Sequence, residues 1–197
     1  MLGEDLPLNA AHLGGAACAL ARAWDATHPG SAQLAVEIDA KLAAYVRQWF
    51  DLPRSPRLRI RIDDAVVAAP SLKAEFWDVV VRDIFSGGTV PDSVCTPEFM
   101  HSCMNALKSE GLFLINAASA PTSQVQAQFA ALAQISDFLV ISDAAVARGK
   151  RRGNLVLVAR KTGFSVEDFD RLSRALRKLP LPAQLYRHSD GALSRYN

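Results

Sequence analysis

The sequence predicts an α/β fold: a mostly parallel, seven-stranded sheet covered by helices on both faces, with the last strand antiparallel. Three observations predict it. Short β-branched runs alternate with longer stretches of helical periodicity along the chain. Within residues 78–82, Val79 to Val81 are apolar on both faces, as a central parallel strand must be. Residues 143–153 join the last two strands without a long helix, which lets one turn back on the other. With 197 residues, half of them hydrophobic, the chain suits one domain with a sizeable core, taken as residues 1–197 with 179–197 as a C-terminal tail.

Residues 9–13 read as the first strand, feeding the tight turn Gly14-Gly15. Residues 16–27 are alanine-rich and helical, stopped by His28-Pro29-Gly30. Residues 34–38 form a strand. Residues 40–50 form a helix with Leu42, Tyr45, Val46 and Trp49 on its apolar stripe. Residues 58–62 alternate Leu, Arg, Ile, Arg, Ile, a strand with one exposed face. Residues 63–72 are a short helix or turn. After the strand 78–82, Thr96-Pro97-Glu98 places a cap oxygen before an N1 proline and opens a helix to Lys108, with Gly111 as its stop. Residues 112–117 are a strand, 121–135 a helix, and 137–142 and 154–161 the last two strands. Ser165 caps a final helix over 166–178, and a tail begun by Leu-Pro-Leu-Pro follows.

Composition excludes several functions. The net charge is +2, too small for a dedicated electrostatic nucleic-acid binder. No apolar run approaches the ~20 residues of a membrane span, and the acidic MLGEDLPLN start lacks the basic and apolar regions of a signal peptide. Three cysteines, odd in number and without a CxxC pair, fit reduced thiols in a cytoplasmic protein. The His101-Ser102-Cys103 segment cannot hold a metal, because i and i+2 side chains on a helix point apart. Gly149 to Gly153 encloses a basic tip that reads as a solvated turn. His12 reads either as a pocket or a packing residue, Cys18 as a small buried thiol, and Trp24, Trp49 and Trp77 as core or helix–sheet contacts.

In a parallel sheet, ligands bind beyond the carboxyl ends of the strands. After the first strand, Gly14, Gly15 and Ala16 let a ligand approach the backbone at a helix N-terminus, although an ordinary tight turn explains them equally. After the second comes Glu37-Ile38-Asp39. Glu37 lies about 23 residues past Gly14, the spacing of a ribose-binding acid, while Asp39 suits an N-cap. After the third come Asp63, Asp64 and Ala65, where a carboxylate can accept from an adenine amino group or cap a helix. After the fourth comes Asp83. Together these positions describe a nucleoside pocket.

The sheet pattern is similar to that of class I S-adenosylmethionine-dependent methyltransferases, a Rossmann-like fold. The order LGGAA, VEID, LRIRIDDA, WDVVVRDIFSGG and TPEFMHSCMNALKSEGLFLIN resembles the spermidine synthase (polyamine aminopropyltransferase) family over roughly residues 11–118. The resemblance implies a donor pocket for S-adenosylmethionine or its decarboxylated form, with no metal. It implies Glu37 on the ribose, Asp64 on the adenine and Asp83 facing the reacting amine end, with Gly14, Gly15, Ala16, Ile38 and Ala65 around the donor. It also implies a small-molecule acceptor, a polyamine among the candidates, with no nucleic acid or membrane partner, and it is compatible with a homodimer.

The departures are specific. Where the family carries GGGDGG, this chain has Gly14-Gly15-Ala16-Ala17-Cys18-Ala19, so Ala17 stands for the aspartate. Where the family has D-S-x-D-P, Asp83-Ile84-Phe85-Ser86 puts a serine at the second acid. Only about eight residues precede the first strand, where the family has a β-domain. The expectation is therefore a transferase moving an aminopropyl or methyl group, with a non-catalytic nucleoside-binding relative as the alternative.

Overall fold

The structure is a computed structural model that describes residues 6–15, 17–120, 122–181, 183–189 and 192–195. The strands are β1 (Asn9–Leu13), β2 (Ala32–Glu37), β3 (Arg59–Ile62), β4 (Trp77–Arg82), β5 (Leu107–Ala118), β6 (Phe138–Ser142), β7 (Asn154–Ala159), β8 (Gln184–Ser189) and β9 (Ala192–Arg195). The helices are α1 (Ala19–Thr27), α2 (Ala40–Trp49), α3 (Ala65–Ala68), α4 (Pro97–Ala106), α5 (Thr122–Ala133), α6 (Ala144–Ala147) and α7 (Val166–Arg177). The sheet runs β3-β2-β1-β4-β5-β7-β6-β8-β9. Its first five strands are parallel, and β7 is antiparallel to both β5 and β6.

The sheet therefore has nine strands among the described residues, not seven. β8 pairs antiparallel with β6, and β9 with β8. Adjacent β8 residues serve opposite faces: Leu185 packs under α7, while Tyr186 joins the main core. With only this Leu-Tyr pair apolar in QLYRHS, the strand has too weak a pattern to be read from sequence.

Period-two alternation distributes the core. Leu34 and Val36 of β2 face the cluster built with Phe99, Met100 and Cys103 of α4 and Phe129 and Leu132 of α5. Ala35 faces the other side, with Ala21 of α1 and Val46 of α2. Phe169 and Leu176 of α7 cover Leu139 and Val158 on that side. The expected caps form. Asp39 accepts from the Lys41 and Leu42 amides at 2.8 and 3.0 Å, and Thr96 accepts from the Phe99 amide. Ser165 and Asp168 make a reciprocal capping box.

Three local expectations are corrected. Helix α1 starts at Ala19, because no Ser, Thr, Asp or Asn lies between Gly14 and Ala19 to cap an earlier start; Cys18 instead takes a left-handed conformation at φ 55°. On α2 the buried residues are Ala43 and Val46, and Trp49 is exposed and stacked on Tyr45, with ring centroids 5.1 Å apart. Gly111 is not a helix stop. It lies inside β5, where the register slips by several residues against β4, and a Cβ there would sit 2.8 Å from the Trp77 carbonyl oxygen.

The glycine turn fixes how the strand ends converge. The Gly14 and Gly15 amides both donate to the Val36 carbonyl at 3.0 Å, and the Asp83 amide donates to the Leu13 carbonyl at 2.9 Å. Gly14 has φ +85°, and a Cβ on it would lie 2.3 Å from the Asp83 carbonyl oxygen. Gly87, at φ +57° in the turn after Asp83, has no atom within 4 Å of a built Cβ. Gly87→Ala should therefore cost only the left-handed backbone penalty, on the order of 1 kcal/mol. Gly14→Ala adds a backbone clash and should cost several times more. Urea unfolding of the two variants tests this, and equal losses would contradict it.

Candidate functional site

The residues predicted from the strand ends converge at the carboxyl edge of the sheet. Glu37 ends β2 as a buried carboxylate, and its Oε1 accepts from the Asp39 amide at 2.9 Å. A carboxylate has roughly four acceptor positions, so this bond orients the group without exhausting it. Asp64 follows β3 and caps α3 by accepting from the Val66 amide at 2.8 Å. Asp63 pairs with Arg61 and accepts from the Asp64 amide. Asp83 follows β4, exposed, and accepts from Asn116 Nδ2 at 2.8 Å.

One cavity of about 500 Å³ gathers Gly14, Glu37, Ile38, Asp64, Ala65 and Asp83 in its wall. Ile84, Phe85 and Ser86 close one side, and Leu42 and Val94 add apolar surface. Gly15 is not part of this wall and lines a smaller neighbouring chamber. Ala16 lies outside the described residues. Acidic acceptors and apolar side chains in one cavity wall suit a ligand with a diol, a planar apolar ring and an amino edge. A larger open hollow of about 650 Å³, lined by Arg47, Trp49, Arg54 and Arg59, lies where β3 begins. That is the end of the sheet opposite to where α/β folds bind ligands.

Sequence reasoning missed Asn116, which reaches Asp83 from the end of β5, and the wall formed by Pro91, Ser93 and Val94. Reading the polar residue that ends LFLIN as one more strand end would have found Asn116. Arg82 was read only as part of a strand end, yet it is wholly buried. Its Nη2 donates to the Asn116 carbonyl at 2.9 Å and to Gln128 Oε1 at 2.7 Å, tying β4 to β5 and α5 beneath Asp83. Its Nε is buried without a hydrogen-bond partner, and burial holds its pKa below the usual arginine value.

His12 is buried beneath α1, with Nε2 3.0 Å from Gln33 Oε1 and its ring 5.2 Å from that of Trp24. Burial lowers its pKa, so the ring is neutral at pH 7. Arg151 of the basic tip pairs with Asp143. His101 is exposed and Cys103 fully buried, so they face apart as expected. Among the described residues, no three His, Cys, Asp or Glu side chains are placed to hold a metal ion. Among the same residues, no helix is long and apolar enough to cross a membrane.

The strand order, the glycine turn and the acids after successive strands define a fold of the S-adenosylmethionine-dependent methyltransferase type. Human methyltransferase-like protein 13, solved in complex with SAH, shares it with TM-score 0.69 over 88% of this chain and 82% of its own, at 19% identity. A probable spermidine synthase from Corynebacterium glutamicum is more similar: TM-score 0.84 and 32% identity over 97% of this chain and 73% of that one. The polyamine aminopropyltransferase of Neisseria meningitidis is 29% identical over 114 residues, which span 57% of this chain and 43% of that protein. No family profile matches. The chain belongs to the spermidine synthase-like family, and it spans less than half the length of the curated aminopropyltransferase it matches.

None of the three cysteines is in a disulfide, and all three are buried. Burial pushes the thiols of Cys18, Cys95 and Cys103 up, Cys103 the furthest, so the reactive thiolate is scarce at each. A disulfide reagent at pH 8 should modify the native protein far more slowly than the urea-unfolded one. Three fast-reacting thiols in the native protein, counted by absorbance, would contradict the burial.

Proposed function

We propose that the chain binds S-adenosylmethionine or its decarboxylated form and transfers an aminopropyl or methyl group to an amine or other small acceptor. The observation that carries this is the single cavity lined by Gly14, Glu37, Asp64 and Asp83. Family membership supports it, as does SAH in the complex of human methyltransferase-like protein 13.

In this reading Glu37, held by the Asp39 amide, accepts hydrogen bonds from the ribose diol. Asp64 accepts from the adenine amino group with the oxygen that does not cap α3, and Ile38 and Ala65 flank the base. Gly14 leaves room beside the ligand's 5′ side. A bound sulfonium supplies a good leaving group, a neutral thioether. The protein's own part is then to position and deprotonate. Asp83, oriented by Asn116, accepts a hydrogen bond from the attacking nitrogen and stabilises the positive charge that grows there. The carbon–sulfur bond breaks as the carbon–nitrogen bond forms, and the nitrogen's proton passes to Asp83 or to water. These roles invoke no metal, and three buried thiols outside any disulfide are compatible with a reducing, cytoplasmic setting.

A second reading, a nucleoside-binding relative without turnover, is favoured by the loop after Asp83. Ser86 stands where the family has its second acid and is an exposed corner of a turn bonded to Thr89. A serine hydroxyl without a proton-accepting partner is a poor general base.

Calorimetry with S-adenosylmethionine, its decarboxylated form and methylthioadenosine, followed by product assays over a panel of amines, separates these readings. Glu37→Ala removes charge-assisted hydrogen bonds and should weaken nucleoside binding about 10- to 100-fold. Asp83→Asn should spare binding and abolish transfer. Unchanged affinity in the Glu37 variant would sink the pocket assignment, and binding without product in the unmodified protein would select the second reading.

A further inference from the structure

A smaller cavity of about 190 Å³ lies on the α1 side of the sheet, and it shares Gly14 and Asp83 with the nucleoside pocket. Its remaining wall includes His12, Ala17, Cys18, Leu20, Ala35 and Val81. Apart from His12, Cys18 and Asp83, the lining is aliphatic or glycine. The imidazole already contacts Gln33, and burial keeps both it and the Cys18 thiol uncharged. Asp83 is therefore the chamber's single carboxylate among the described residues, and one of its oxygens is bonded to Asn116.

A diamine is cationic at both ends. One ammonium could meet Asp83, but the other would lie against alanine, leucine and valine with no opposite charge, which is strongly unfavourable. The volume also sets a size. An engineered apolar cavity of about 150 Å³ holds benzene, so this chamber suits a group slightly larger than one ring, or a chain of about four to six carbons.

We infer that this chamber takes an uncharged apolar group of that size, lying at the 5′ end of a nucleoside held in the adjoining pocket. The inference rests on the nucleoside reading given above. The group is either part of the acceptor or a substituent of a donor that keeps the nucleoside but replaces the charged tail of S-adenosylmethionine and its decarboxylated form. In both cases the chemistry recognised is a neutral hydrocarbon or aromatic moiety next to Gly14 and Asp83, in place of the charged amines that an acid at position 17 would favour.

Calorimetry with adenosine, methylthioadenosine, 5′-butylthioadenosine, 5′-phenylthioadenosine, decarboxylated S-adenosylmethionine and S-adenosylhomocysteine tests it. Burying three further methylenes should tighten the butylthio compound about 10- to 50-fold over methylthioadenosine, with the phenylthio compound similar and both charged tails weaker. That gain assigns the group to the donor. Phenol binding to the protein saturated with methylthioadenosine assigns it to the acceptor. Ala17→Asp should shift preference at least tenfold from the butylthio compound towards decarboxylated S-adenosylmethionine. If adenosine binds but the extended compounds and phenol add nothing, or a charged tail binds tightest to the unmodified protein, the chamber assignment is overturned while the nucleoside pocket stands. If adenosine itself fails to bind, both are overturned.

Discussion

The site depends on one close approach of backbone to backbone, between Gly14 and the carbonyl of Asp83. The distance is permitted only because position 14 has no Cβ and can hold a positive φ. Two further constraints lock it. Val36 accepts from both glycine amides, and Leu13 accepts from the Asp83 amide. The ends of β1, β2 and β4 are thereby drawn together, which puts Glu37, one residue past Val36, and Asp83 in the wall of the same cavity. The glycine pair is thus explained by packing first. Ligand access is a consequence of the same geometry.

Beneath that edge, Arg82 makes an unusual brace. A wholly buried guanidinium carries a desolvation cost of several kcal/mol. Here its hydrogen-bond partners among the described residues are neutral: a backbone carbonyl, a glutamine amide and a cysteine sulfur. Charge-assisted bonds to the Asn116 carbonyl and Gln128 offset part of that cost, and the negative Asp83 next in sequence favours the charged form. Asn116 is held through its backbone by Arg82 and holds Asp83 through its side chain. Arg82 therefore acts on the site through Asn116, without touching the cavity.

Much of this was legible in the sequence because it follows local rules. The central strand β4 shows as a doubly apolar run and the edge strand β3 as an alternating one, and Asp39, Thr96 and Ser165 cap where their spacing says they should. The acids after β2, β3 and β4 lie in one cavity wall because a parallel sheet puts every strand's carboxyl end on the same edge. What stayed hidden depends on partners distant in sequence. Arg82 looks like a solvated strand end until Gln128, 46 residues away, is brought against it. Tyr45 and Trp49 look like core until α2 turns out to bury Ala43 and Val46 instead. Among the described residues, strands β8 and β9 pair only with β6 and with each other, so the register that orders them cannot be read from their own short pattern.

The two departures from the family's motifs are not demanded by the fold. The turn from Ser86 to Thr89 is closed by backbone bonds with Gly87 and Gly88 at positive φ, and Ser86 is exposed. An aspartate would fit that corner as well as a serine. Ala17 is partly exposed and lies ahead of α1, where an acid would favour the helix N-terminus. Neither position excludes a carboxylate on steric grounds. In the proposed reading the acids suited to a nucleoside, Glu37 and Asp64, are present, while acids suited to a cationic chain are absent at positions 17 and 86. That pattern follows the division between the two parts of the proposed ligand, as expected if the chain holds a nucleoside whose neighbour is not a polyamine.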